Sequence, residues 1–446
     1  MTPSELEPLM LVASTADAQA KAPRIPPARP KDGARLREPR RGQITWGRID
    51  LDALVAEDHA VRAIAAVIDK LDLAALYGQI DARDETAGAP AIDPKLLLCL
   101  WVYATSDGEN SGREISRLTR DHAAYRWICG GVDVGYHTIS DFRSRQKDVI
   151  DNLVTQVLAL LLKQDLVDLT RVAQDGTRVR ASAGASSFRR EQTLAELMLE
   201  ARAHLAALDQ DAADPAMTAR RAAARRRGAQ ERIARLNAAL AQIPEVAETK
   251  RKSGAKDKTP RVSTTDPDAR VMKMGDGGFR PAFNVQFATT TDEARVIVGV
   301  AVTHRGSDQG QATPMLEQIE QRTGTKPAEI LVDGGYVSCE AIDEAARAGA
   351  TFYGPLPKRR AGQVLDPGAP RADDSEAVAA WRTRMGTDEA KAIYKERAAT
   401  AETVNADGKT HRGLDALVVR GTTKVLATVG LFALTYDILR YIALRG

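Results

Sequence analysis

The chain reads as an α/β domain that follows an all-α region and is interrupted by a helical hairpin. Three observations carry that reading. Residues 46–164 repeat apolar positions at helical spacing between helix caps. From 165 onward, short β-forming apolar runs are separated by amphipathic stretches. Between 190 and 250 strand character is lost and two long helical stripes replace it.

Residues 1–45 are rich in Pro, Arg and Ala without a period, and are expected to be a disordered basic tail. In the helical region, Asp58 is expected to cap a helix carrying Val61, Ile64, Ile68 and Leu71. Asp93-Pro94 is a cap followed by proline at the first helical position. Ser111 opens a helix with Arg113, Arg117 and Arg120 on one face. Thr138 with Asp141 forms a capping box that predicts one long helix to about residue 163. Short helices with a basic stripe suit a helix-turn-helix reader of DNA, and a bundle with solvated arginines fits nearly as well.

In the α/β region the first strand, at 169–181, holds Asp175. The interruption follows: Leu194, Leu197, Met198, Ala201 and Leu205 face Ile233, Leu236, Ala239, Leu240 and Ile243, with Asp214-Pro215 between the two runs. Its outer face carries Arg220, Arg221, Arg225, Arg226, Arg227, Arg232 and Arg235, with few local acids, and Arg225 to Arg227 are taken as DNA contacts. Strands at 280–289 and 295–303 should pair as a hairpin across Thr291-Asp292. A helix at 310–321, a strand at 329–333, a helix at 339–348 and a strand at 351–356 come next. A charged loop at 358–380 leads to a helix bearing Glu402, and 423–444 closes the domain. That order of elements is ribonuclease-H-like.

The stretch Ile330-Leu331-Val332-Asp333-Gly334-Gly335 lifts a carboxylate clear of a strand end, where α/β sheets place their chemistry. Asp175-Gly176 repeats the form on the first strand, and Glu402 follows on a helix. With Tyr394, Arg397, Glu402 and Lys409 in place, the chain resembles the DDE transposases of bacterial insertion sequences, in the branch marked by a Tyr-x2-Arg…Glu-x6-Lys signature. The resemblance implies that Asp175, Asp333 and Glu402 bind two Mg²⁺ ions, for which Mn²⁺ would substitute. Asp175 would bridge both ions, and the other two acids would bind one each. It also implies cleavage and strand transfer of double-stranded DNA at the element's terminal inverted repeats and at target DNA, by a homo-oligomer in the cytoplasm on the nucleoid. At ~100° per residue Lys409 lies almost above Glu402, so it would meet a DNA phosphate, while Tyr394 and Arg397 lie further round and would flank the DNA or pack on the sheet. Gly408, a poor helix former by about 1 kcal/mol relative to Ala, is expected to shorten the helix. Asp266, Asp268, Asp292 and Asp308 are competing acids read as loop and cap residues. Asp308 is the strongest rival because it begins a helix after a strand.

The bulk numbers agree with a soluble enzyme of two or three domains: 446 residues, 43% hydrophobic, net charge +3. Basic residues cluster locally, as phosphate binding requires. Cys99, Cys129 and Cys339 form no CxxC pair, which points to a reducing compartment, and the scattered histidines exclude a zinc motif. The apolar run at 425–436 is too short for a bilayer and is expected to be a core helix. Two functions remain open at this point: an active transposase, or a catalytically silent DNA-binding descendant acting as a repressor.

Overall fold

The computed structural model describes residues 50–80, 90–210, 219–252, 254, 259–357 and 366–445. The expected tail at 1–45 and the Asp214-Pro215 joint lie outside the described residues. The N-terminal helices are α1 (Ala60–Ile68), α2 (Ala74–Tyr77), α3 (Pro94–Ser106), α4 (Gly112–Asp121), α5 (Ala123–Cys129), α6 (Tyr136–Arg145) and α7 (Lys147–Lys163). Asp93 and Ser111 cap α3 and α4 as expected, their side chains accepting from Lys95 N and Glu114 N. The cap of α1 is His59, not Asp58, its Nδ1 accepting from Val61 N.

The long helix expected from Thr138 is two helices that break at Gln146. They serve different partners. The Ile139 carbonyl on α6 accepts a 2.8 Å hydrogen bond from the Trp101 indole, whereas Ile150, Leu153, Val157 and Leu161 of α7 are buried. α7 packs on the C-terminal helix α14 (Thr422–Arg445).

The sheet is mixed. β1 (Arg171–Arg180) lies between β5 (Phe279–Thr290), antiparallel to it, and β7 (Glu329–Val332), parallel to it. β8 (Thr351–Tyr353) extends the parallel side. β4 (Arg270–Lys273) and β6 (Ile297–Thr303) both pair antiparallel with β5. The expected hairpin at Thr291-Asp292 is therefore present. Crossovers are made by α10 (Ala312–Thr323) and α11 (Cys339–Arg347). α12 (Glu376–Gly386) begins inside what was expected to be loop, and α13 (Asp388–His411) crosses β1 and β5.

Gly408 does not end α13. A β-carbon there would stand 3.1 Å from the Phe432 ring, so the glycine lets α13 lie close on α14. α14 also packs on α1, α3, α6 and β6, which puts helices and sheet in one core with Trp101, Phe287, Phe432 and Tyr441 fully buried. It is long and apolar enough to cross a membrane, yet 61% of that window is buried in the protein, as a core helix requires. Residues 50–446 form one compact unit.

The insertion consists of α8 (Glu191–Gln210) and α9 (Ala219–Lys252), with a small core of Leu194, Met198, Ala201, Leu236, Ala239 and Ile243. α9 runs past its expected end, through Pro244, because Val246 joins that core with Val262 of β3 (Val262–Ser263). β3 pairs with β2 (Phe188–Arg189) where the arm meets the domain.

Candidate active site

The register of β1 and β7 pairs Gln174 with Val332, so the next residues, Asp175 and Asp333, stand side by side on neighbouring parallel strands. Each carboxylate accepts from a backbone N–H just after it, Asp175 within β1 and Asp333 in the turn after β7. Gly176 N donates to Asp175 Oδ1 at 3.0 Å and Gly335 N to Asp333 Oδ1 at 2.7 Å. Burial, and then the charge of Asp333, push Asp175 up to about 6, against the opposing pull of Arg397, the Gly176 N–H and Asn405. Two carboxylates this close in a poorly hydrated place resist ionising together.

α13 covers the pair. Thr387 caps it, and its face toward the acids carries Glu402, Asn405 and Lys409. Asn405 Nδ2 donates to Asp175 Oδ2 at 3.1 Å. Arg397 Nη2 donates to Glu402 Oε1 at 2.7 Å, and its Nη1 stands 3.9 Å from Asp175 Oδ2. Arg397, expected to flank the DNA or pack on the sheet, reaches the acids themselves. Helix arithmetic counted only its backbone angle and missed the reach of a guanidinium. Tyr394 is half-buried under the Arg397 guanidinium, which lies 5.8 Å from its ring centre. Lys409 is half-buried, and burial, with Arg178 adding to it, lowers its ammonium from the ordinary value while Asp175 opposes. All four signature residues thus lie on one helix over the two aspartates or beside them.

The donor chemistry fits a hard divalent cation. The ligands on offer are carboxylate oxygens, without histidine or cysteine. The Asn405 Oδ1 beside them is buried without a hydrogen-bond partner. Among the described residues no three acids already converge as a metal cage, because the Glu402 side chain is 54% exposed and held by Arg397.

Beside the aspartates lies a buried polar knot that composition gave little sign of; its Asp308 carboxylate meets that of Asp333 at Gly335. Gln174, Asn284 and Gln286 are fully buried on β1 and β5. Asp308, expected to be a cap, is buried among them, and α10 is preceded by Gln311 instead. Asp308 accepts from Asn284 Nδ2 at 2.7 Å, Gln286 Nε2 at 2.8 Å and Arg178 Nη2 at 3.0 Å. The Tyr336 hydroxyl donates to Gln286 Oε1 and closes the knot. Gly176 is what admits it, since a β-carbon at that position would run into Gln286 Nε2 and Asp308 Oδ1. Asp308 was named only as a rival at a helix start, and its buried partners on β1 and β5 were missed because strand periodicity assumes polar residues face water.

The remaining candidate cations are dispersed. Arg117 is held by Glu114 and by Asp121 at 2.9 Å, and Arg120 lies 3.7 Å from Asp133. On the arm, Arg226 pairs with Asp209 at 3.1 Å, Arg232 with Glu200 at 3.8 Å and Arg235 with Glu231 at 3.9 Å. The expected shortage of acids is corrected by α8, whose carboxylates the sequence could not place opposite α9. Arg225 and Arg227 are exposed on the same helix.

Comparison with known families gives two matches. Residues 49–145 match the family described as a transposase domain (DUF772), and residues 370–442 match the family described as a transposase DDE domain. The second match includes Glu402 and the whole signature and stops short of Asp175 and Asp333. No curated protein and no solved structure matches the chain. One transposase match over the N-terminal helices and another over α12 to α14 support a DDE transposase of an insertion sequence.

Proposed function

We propose that this transposase binds the terminal inverted repeats of its element as a homo-oligomer and cuts and rejoins DNA at Asp175, Asp333 and Glu402. It would work in the cytoplasm, on nucleoid DNA. The observation that carries the reading is the pairing of Asp175 with Asp333 just past the end of the parallel ladder between β1 and β7, beneath a helix bearing Glu402. A sheet ordered β6-β5-β1-β7-β8, with its first three strands antiparallel and the rest parallel, supports a ribonuclease-H-like catalytic domain from residue 165.

The three acids would hold Mg²⁺, which when bound activates the attacking oxygen and stabilises the leaving one in an in-line displacement. The side chains have separate tasks. Asp175 sits deepest and reaches its charged form above a pH of about 6. Asn405 fixes the rotamer of Asp175 through one neutral hydrogen bond. Arg397 orients Glu402, and Lys409 offers a cation to a phosphate of the strand being cut. The N-terminal helices, with Arg113 on α4, would meet the repeat, and Arg225 to Arg227 on the arm would meet flanking DNA.

The test is Asp175→Asn in the full chain. Binding to a repeat-bearing duplex should stay near wild type while Mg²⁺-dependent cleavage disappears. Cleavage that survives removes Asp175 from the site. Tight binding by the wild type with no cleavage in Mg²⁺ or Mn²⁺ would establish the repressor instead.

A further inference from the structure

We propose that the groove between α4, α6 and the segment entering α14 is a second anchoring site for the DNA backbone, remote from the acids. This rests on the transposase reading above. The groove has a volume of about 460 Å³ and is lined by Arg113, Arg143, Arg420 and Lys424 together with Ser140 and Ser182. No carboxylate lines it.

Its cations have no anion to answer them. Among the described residues, none of the four is in an ion pair. Arg143 is only 4% exposed. Its guanidinium lies 4.2 Å from the Trp101 ring centre and gives one 2.8 Å hydrogen bond to Asn110 O, and its Nε is buried without a partner. Burial lowers it to about 10, so it remains charged at neutral pH. A buried cation without a counter-charge costs several kcal/mol, a cost an arriving anion would offset. Arg113 lies 5.2 Å from the Tyr136 ring centre, which fixes its direction. Arg420 is anchored by a 3.1 Å hydrogen bond to Ser182 O. Beside the segment entering α14, Asp266 is buried and accepts from Gly421 N, and Asp268 accepts from Thr422 N and Oγ1; neither lines the groove.

The groove's position selects the occupant. One wall comes from the N-terminal helices, the other from the chain beyond α13, and Ser182 follows shortly after β1. At about 3.3 Å per residue, Ser182 lies roughly 20 Å along the chain from Asp175. An anion that engages both places must be long and carry repeated charges, as a duplex does with one phosphate every ~3.4 Å per strand. A groove walled by both regions would tie the cut strand's register to the helices that hold the flank.

The experiment uses the full chain, a short mixed-sequence duplex and fluorescence anisotropy across a salt series. Arg420→Gln with Lys424→Gln should flatten the slope of log affinity against log salt by about two units, at ~0.9 per lost phosphate contact. Taking 1 M salt as the reference, that is roughly a thirty-fold loss at ~0.15 M. Lys424→Gln alone, which breaks no hydrogen bond, should flatten it by about one unit, so a poorly folded double variant does not remove the test. An unchanged slope, or weaker binding at an unchanged slope, overturns the groove and leaves the transposase reading standing. A wild type that fails to bind duplex at low salt overturns both.

Discussion

Two aspartates meet at Gly176, and they are treated in opposite ways. Asp308, buried and close to the Asp333 carboxylate at Gly335, takes donors from Asn284, Gln286 and Arg178. Asp175, at the cleft, has the Gly176 N–H on one oxygen, the Asn405 amide on the other, a guanidinium at 3.9 Å and a second carboxylate beside it. Both are largely withdrawn from water, so burial does not separate them. Satisfaction does. A saturated buried acid holds structure together, whereas an under-satisfied one next to another anion has room for a cation.

The largest break in this contrast is chemical. Asp175→Asn should lower cleavage at least ~10³-fold, the scale seen when one member of a catalytic unit is lost. Asp308→Asn should reduce cleavage far less, and a gel assay on nicked and intact duplex would compare the two. Equal loss in both variants would erase the distinction.

Next comes stability. Asp308→Ala strands Arg178 and two amides, and should cost about 3–4 kcal/mol in a urea titration. Asp175→Asn should do the reverse in metal-free protein. Because the folded state raises Asp175 to about 6, that state is favoured when the group is protonated. The favourable contribution is complete below the ordinary carboxylate value and is lost as pH rises through about 6. The variant should therefore match wild type near pH ~4 and exceed it by up to about 3 kcal/mol at pH ~8. A stability difference independent of pH would mean that Asp175 is not strained by its neighbours.

The smallest effect tests the same contrast in cations. Arg226 is paired with Asp209, whereas Arg227 is exposed and in no ion pair among the described residues. Arg227→Gln should flatten the salt dependence of DNA binding by about one unit, and Arg226→Gln by less. Sedimentation should be unchanged in both, and a shift in size would make the arm a contact between subunits.

How far the sequence reached follows the same line. Ile330-Leu331-Val332 before Asp333 and the hairpin across Thr291-Asp292 were legible because apolar runs and tight turns are local signals. The caps at Asp93 and Ser111 were legible for the same reason. The two Asp-Gly pairs stood out by their form, one inside β1 and one after β7, and Glu402 was named through the family signature. What spacing could not show was company. The knot around Asp308 joins β1, β5 and the loop before α10, and its polar side chains interrupt strands that are buried on both faces. The hydrogen bond from Asn405 to Asp175 depends on how α13 lies across the sheet, which Gly408 sets through Phe432.

α14 has a consequence for the order in which the molecule is made. The surfaces of α1, α3, α6 and α7 that pack on it leave the ribosome long before Thr422–Arg445 does. Closing so long a loop is slow, and the waiting apolar faces are open to chaperones and to one another. Helices proposed to grip DNA thus complete their packing only after α14 is synthesised, so a nascent chain still lacking it should be silent on the template it came from. Pulse proteolysis of stalled chains should find α1 to α7 cleavable until α14 emerges, and protected afterwards.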